Sequence, residues 1–296
     1  MTAAAYWWAF TLCASLAQTL RNAMQRELIG ALGAVGAAQV RFLFGLPFAL
    51  VFVAVVALVG GESLPALNPA AAAWVALGAA TQIVATALML AAMRSKSFVV
   101  VVAATKTEAA QVAVFALVVF GERPTPALVG AIALATFGVW LMSGVSRGGF
   151  GALALGLVSA SFFAVAAIAF RQAVLGVDGG SFVMRASFVL ALGLALQTAL
   201  TFVYLAVFDR RTIRAILGAW RPSLFAGFMG AFASQLWFIA FALSDAARVR
   251  TLALVEVLFA QIVSARLFKE RPTLAETFGA ALIVAAAALL VSGATG

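Results

Sequence analysis

Residues 105–144 read TKTEAAQVAVFALVVFGERPTPALVGAIALATFGVWLMSG, and residues 254–293 read LVEVLFAQIVSARLFKERPTLAETFGAALIVAAAALLVSG. Glu108 precedes Glu122 by 14 residues, and Glu256 precedes Glu270 by the same 14. Both stretches pass through Glu-Arg-Pro-Thr and close on Ser-Gly, at Ser143-Gly144 and Ser292-Gly293. The offset is 148 at the motif and 149 at the end, which marks a one-residue insertion. Earlier in each half, Gly78-Ala-Ala-Thr-Gln82 resembles Gly230-Ala-Phe-Ala-Ser-Gln235. Arg41 and Arg185 open corresponding apolar runs. The chain is therefore read as two copies of one unit, residues 1–146 and 150–296.

Composition says where that unit lives. Of 296 residues 65% are hydrophobic and 10% charged, with a mean hydropathy of +1.13. Soluble domains carry roughly 25% charged residues, and so few charges cannot keep a surface this apolar in water. The 25 Phe exclude a disordered chain. With no His, histidine triads, histidine metal ligands and histidine proton shuttles are impossible. The single Cys13 can form neither an intrachain disulfide nor a thiolate cluster, and reads as a small hydrophobe. No cofactor and no metal are expected. The net charge of +9 is spread over short loops, which suits anchoring to anionic lipid and setting topology, not nucleic-acid binding.

A membrane-crossing helix takes about 20 mostly apolar residues. Ten such runs occur: Ala5–Met24, Gly36–Val59, Ala70–Met93, Phe98–Phe120, Thr125–Ser143, Ala152–Val174, Ser181–Phe208, Trp220–Leu243, Ala247–Phe268 and Thr273–Ser292. The first carries Gln18, Arg21 and Asn22 and no basic leader, so it reads as a span and not a signal peptide. Trp7, Trp8, Trp74, Trp140 and Trp220 lie near span ends, where indoles favour the headgroup layer. Thr273 with Glu276 forms a capping-box pattern, and Thr125-Pro126 a Pro-first helix start. Five spans per half is an odd number, so the second half enters the membrane from the opposite side. The expected fold is an all-α membrane protein: ten transmembrane helices as two inverted five-helix repeats, together one transmembrane domain. Many secondary transporters are built this way, with the substrate site near the midplane between the repeats.

Ten spans, two five-span halves and a Glu-Arg-Pro-Thr turn before the last span of each half resemble the drug/metabolite transporter superfamily, EamA type. The resemblance covers nearly the whole chain and implies a transporter, not an enzyme, with export of amino acids or related metabolites as the leading direction. It also implies that the last span of each half supports the bundle or a dimer contact, giving a monomer or a weak homodimer. Gly130, Gly138 and Gly279 would let those spans approach closely. One departure stands out. Members often have Glu-Pro in the fourth and ninth spans, whereas this chain has Glu108-Ala109 and Glu256-Val257, so the residue that usually kinks a helix there is missing.

Polar residues inside the spans mark the candidate site. Thr105, Lys106, Glu108 and Gln111 fall near the middle of the fourth span and Glu256 near the middle of the ninth. Ionisable groups at that depth cost roughly 2.5–3.5 kcal/mol on insertion scales and are kept only facing a cavity or a partner. Structural pairs of Glu108 with Arg41 and of Glu256 with Arg185 are the alternative. A carboxylate at this depth can also carry a proton through a transport cycle. Gln18 and Asn22 share a face of the first span, and Gln82 and Gln235 hold related places in the two halves. Trp237, well inside the eighth span, is the aromatic candidate for a cavity wall.

Loop charges give an orientation. Arg21, Arg26, Arg94, Lys96, Arg147, Arg210, Arg211, Arg214, Arg221, Arg266, Lys269 and Arg271 share one side, twelve in all. Arg123, Arg171, Arg248 and Arg250, four, lie on the side of the termini. The positive-inside rule places the twelve in the cytoplasm and both termini outside, in an inner (plasma) membrane. The functional expectation is a secondary active transporter of small polar metabolites, most readily amino acids. Efflux of apolar or cationic compounds is the alternative, and a passive scaffold or intramembrane enzyme the rival from another class. No nucleotide-binding motif is present.

Overall fold

A computed structural model describes residues 6–94, 98–142, 150–267 and 273–292. Among these, twelve α-helices and one short 3₁₀ turn make up the fold, in the order α1 (Trp7–Gly60), α2 (Pro69–Met93), α3 (Phe98–Thr105), α4 (Glu108–Phe120), α5 (Pro126–Met142), α6 (Phe150–Gly176), α7 (Phe182–Phe208), α8 (Arg210–Gly218), α9 (Trp220–Leu243), α10 (Ala246–Leu252), the turn Ala253–Val255, α11 (Glu256–Leu267) and α12 (Leu274–Ser292). Lys96, Ser143, Arg147, the 144–149 joint, the second Glu270-Arg271-Pro272 turn with Lys269, Gly293 and the Glu276 side chain lie outside the described residues.

Ten rods correspond to the ten apolar runs, and the fold is an all-α membrane architecture. Long helix α1 is two spans in one: Gly33 has φ 67° and ψ 177°, a backbone open to glycine, and divides it into arms 7–32 and 34–60. The first arm thus continues past Met24, where the apolar run stops. The fourth and ninth spans are each interrupted. The fourth breaks between Thr105 and Glu108, and the ninth passes from α10 through the 3₁₀ turn into α11. Both breaks form without the missing prolines. A helix can open at mid-depth where the freed backbone is buried in protein or lines a cavity.

A further correction concerns the segment between the seventh and eighth spans. It is a short polar helix, α8, not a plain loop. Asp209 caps it, accepting from Thr212 N at 3.3 Å and from Thr212 Oγ1 at 2.7 Å, bonds that hold its carboxyl below the usual range. Ile216 is buried, and Thr212 sits over Gly36, so the helix seats on the corner of α1. At the start of α5, Thr125 Oγ1 accepts from Leu128 N at 3.2 Å, as the Thr-Pro pattern anticipates. Trp8, Trp140 and Trp220 are outward-facing, whereas Trp7 is turned into the bundle and is 4% exposed, not a headgroup anchor.

The packing exchanges the two halves. The third span, α2, lies on α6 and α7 of the second half, and the eighth, α9, lies on both arms of α1. The fifth and tenth, α5 and α12, lie on each other. Interchanging the halves maps this set of contacts onto itself, as a two-fold arrangement requires. Glycines make the close approaches. A Cβ at Gly138 would stand 2.6 Å from Gly279 O, and one at Gly78 would meet the Phe170 ring at 3.0 Å. At one end the loops of both halves are clamped. Ala66 and Asp178 exchange backbone bonds of 2.8 and 3.1 Å, and Glu62 accepts from Ser181 N and Oγ at 2.7 and 2.9 Å.

Candidate functional site

The broken spans bring their charges to one point. Glu108 is the first residue of α4 and Glu256 the first residue of α11. The backbone stays hydrogen-bonded through both junctions: Ala109 N donates to Lys106 O at 3.3 Å, and Glu256 N donates to Ala253 O. Each carboxylate takes its cation from the other half. Lys106 Nζ lies 2.5 Å from Glu256 Oε2, and Arg250 Nε lies 2.9 Å from Glu108 Oε1. The pairs anticipated from sequence, Glu108 with Arg41 and Glu256 with Arg185, do not form. The breaks of the fourth and ninth spans face one another, so each Glu meets the opposite break before it meets a second or seventh span.

The first span completes the Glu256 environment. Gln18 Nε2 donates to Glu256 Oε2 at 2.7 Å and Asn22 Nδ2 to Oε1 at 3.1 Å. Gln18 Oε1 in turn accepts from Trp237 Nε1 at 3.0 Å. The Arg250 guanidinium lies 4.7 Å over the Trp237 ring and 5.2 Å over Phe241, inside cation–π range. On the remaining side Arg21 donates to Asn22 Oδ1 at 2.6 and 3.2 Å. Arg41 donates to Thr86 Oγ1 at 3.3 Å and Ser234 Oγ at 3.2 Å.

These groups line one cavity between the halves, walled by Met89, Phe163, Phe170, Phe238 and Phe241. Its free space is about 20 Å³, room for about one water, so the site is closed on its own side chains. Arg21, Arg41, Lys106, Glu108, Arg250 and Glu256 are 1%, 2%, 5%, 4%, 7% and 0% exposed. Four cations face two carboxylates in a space with room for about one water.

Of the residues anticipated from sequence, Gln18, Asn22, Gln82, Thr105, Lys106, Glu108, Trp237 and Glu256 border this cavity. Gln82 is oriented by Gln197 at 2.8 Å, while the Thr105 hydroxyl returns to Val102 O at 2.7 Å. Gln111 and Gln235 are not there. Gln111 turns back to Thr107 at 3.5 Å, and Gln235 donates to Ser187 at 2.8 Å, because the cavity face of α9 passes through Ser234, Trp237 and Phe238. Sequence reasoning counted Arg21 and Arg250 with the loop charges, although both fall within apolar runs, and took Arg41 only as an alternative partner of Glu108. Arg21 carried a usable signal, since it adjoins Asn22 in a polar stripe, but Arg250 lay in a run of ordinary loop charges.

Comparison with known proteins agrees with this architecture. Residues 150–292 match the EamA-like transporter family. The match covers the second half of the chain, and the matched family lies within the drug/metabolite transporter superfamily. No curated protein matches the chain. Solved structures do match. One protein of known crystal structure aligns over 99% of this chain and 97% of its own, with a TM-score of 0.71 and 16% identity, a likeness of fold.

Proposed function

We propose that the chain is a secondary active transporter that moves small polar metabolites, amino acids first among them, outward by alternating access. The observation that carries this reading is the closed, ion-lined cavity at the junction of two inverted halves. In inverted-repeat transporters the site sits at the repeat interface, and broken helices supply its polar groups. Both halves contribute lining residues to this cavity, so rocking one half against the other would open it first to one face and then to the other. The Ala66–Asp178 clamp is the contact that must part on its face.

Two further elements belong to this reading. Glu108 and Glu256 can each release its cation partner and take a proton, which would couple substrate movement to a proton gradient. The loop charges favour an inner-membrane protein with both termini outside. Removing the buried Arg21 and Arg250 from the loop tally leaves eleven against three, the same sign. Efflux of cationic compounds is less favoured, because both carboxylates are already matched by Lys106 and Arg250. Uptake of a labelled metabolite panel by proteoliposomes holding the full chain tests the proposal. Saturable flux of at least one small polar metabolite is expected, and flux no greater than in empty vesicles for every compound would overturn it.

A further inference from the structure

Two of the four cations in the cavity, Arg21 and Arg41, form no salt bridge with either carboxylate. Arg21 hydrogen-bonds only its neighbour Asn22, while Arg41 hydrogen-bonds two hydroxyls, Thr86 and Ser234, and lies 5.5 Å over the Phe42 ring. Arg21 Nη1 and Arg41 Nε are buried with no acceptor at all. Both residues border the cavity and both are at least nine-tenths buried. Their side chains also run together. A Cβ at Gly230 would meet Arg41 Cγ at 2.9 Å and Arg21 Cδ at 3.3 Å, so the two cross one bare patch of α9.

Buried charges are kept when they are paired. Lys106 and Arg250 satisfy that condition and these two do not. Side by side, two unpaired guanidiniums also repel each other. A bound anion removes both penalties, and the planar fork of each guanidinium matches the paired oxygens of a carboxylate or phosphate. Phe163, Phe170, Phe238 and Met89 supply an apolar wall for a short carbon skeleton.

We propose that Arg21 and Arg41 form the anion seat of the transport site, and that the substrate is a small metabolite with two anionic groups, two carboxylates or a phosphomonoester. This rests on the cavity being the transport site. Lys106–Glu256 and Arg250–Glu108 then form the frame that holds the seat, and the incoming charges balance the excess of two cations.

A charge ladder tests it on the full-length protein. Binding of succinate, glutamate, glutamine, lysine and glycerol phosphate is read by thermal stabilisation in detergent, and flux is read separately in vesicles. Succinate, glutamate or glycerol phosphate should bind at least tenfold more tightly than glutamine, with no binding of lysine. Whether the dicarboxylate or the phosphate ester leads identifies the anionic group. Arg21→Gln and Arg41→Gln should weaken anion binding about 10–100-fold, the range for a lost charge-assisted hydrogen bond. The Lys variants at the same positions should keep part of it.

The wild-type ladder decides the matter even if a Gln variant fails to fold. Equal or better binding of glutamine or lysine, or binding of none of the five, overturns the anion seat. Anion binding without flux upholds the seat and defeats the transport reading. Saturable flux of neutral amino acids with no preference for anions upholds transport and defeats the seat.

Discussion

Lys106 Nζ stands 2.5 Å from Glu256 Oε2, joining two residues 150 positions apart that come from opposite halves of the chain. Gln18 and Asn22 bind the same carboxylate, so three elements converge on one buried group. Breaking a buried pair by removing one partner costs about 3–5 kcal/mol, because the other charge is left uncompensated. Glu256→Gln and Lys106→Gln should each lower unfolding free energy in detergent by about that amount. The double variant should lose clearly less than the sum of the two. Additive losses would mean the pair is not coupled.

Two glycines three residues apart on α9 should behave differently. A Cβ at Gly227 would stand 2.5 Å from the backbone carbonyl carbon of Phe44, which cannot move aside, so Gly227→Ala should cost about 1–3 kcal/mol of stability. A Cβ at Gly230 meets only the flexible stems of Arg41 and Arg21. Gly230→Ala should therefore leave the melting temperature nearer wild type while weakening substrate turnover roughly 10- to 100-fold through displaced guanidiniums. Thermal unfolding and vesicle flux measured on both variants check the contrast.

The clamp between the loops offers a reversible lock. Ala66 and Asp178 exchange two backbone bonds as an antiparallel pair, a geometry with Cα atoms about 5.5 Å apart, within disulfide range. In a Cys13→Ser background, Ala66→Cys with Asp178→Cys should lose transport on oxidation and regain it on reduction. Undiminished flux in the fully oxidised protein would show that the clamp stays closed throughout the cycle.

Proton coupling places its weight on two carboxylates. Wild-type flux should rise when a proton gradient is imposed and fall when it is collapsed. Glu108→Gln should flatten that dependence, since the amide cannot exchange a proton, and Glu256→Gln should do the same in whatever fraction folds. Wild-type rates with an unchanged pH profile in both variants would exclude these groups as the coupling site.

The loop charges predict orientation independently of the site. A C-terminal reporter active only in the cytoplasm should stay silent, and a reporter active outside should give signal. Activity in the cytoplasm would reverse the assignment.

Much of the fold was legible because span formation is local. Hydropathy over about 20 residues shows a span wherever it occurs, and the 14-residue spacing of Glu108–Glu122 and Glu256–Glu270 exposed the repeat. The helix breaks were not legible. Thr105 to Glu108 and Ala253 to Val255 contain no proline; the first borders the cavity and the second lies between the cavity residues Arg250 and Glu256, a placement set by packing. Gln235 misled for a related reason. Its place in the repeat matches that of Gln82, yet the face of α9 turned to the cavity passes through Ser234 and Trp237 instead.

The sequence alone determined that this is a membrane protein of ten spans in two inverted halves, and that Lys106, Glu108 and Glu256 sit where charge is costly. The tertiary structure alone decided which charges meet. Arg250 left a loop tally to pair with Glu108, Lys106 crossed to Glu256, and Arg21 and Arg41 came together over Gly230 with no carboxylate between them. Hydropathy depends on neighbours along the chain, whereas ion pairing depends on neighbours across it. Only the docking of one half on the other brings those groups within a few ångströms.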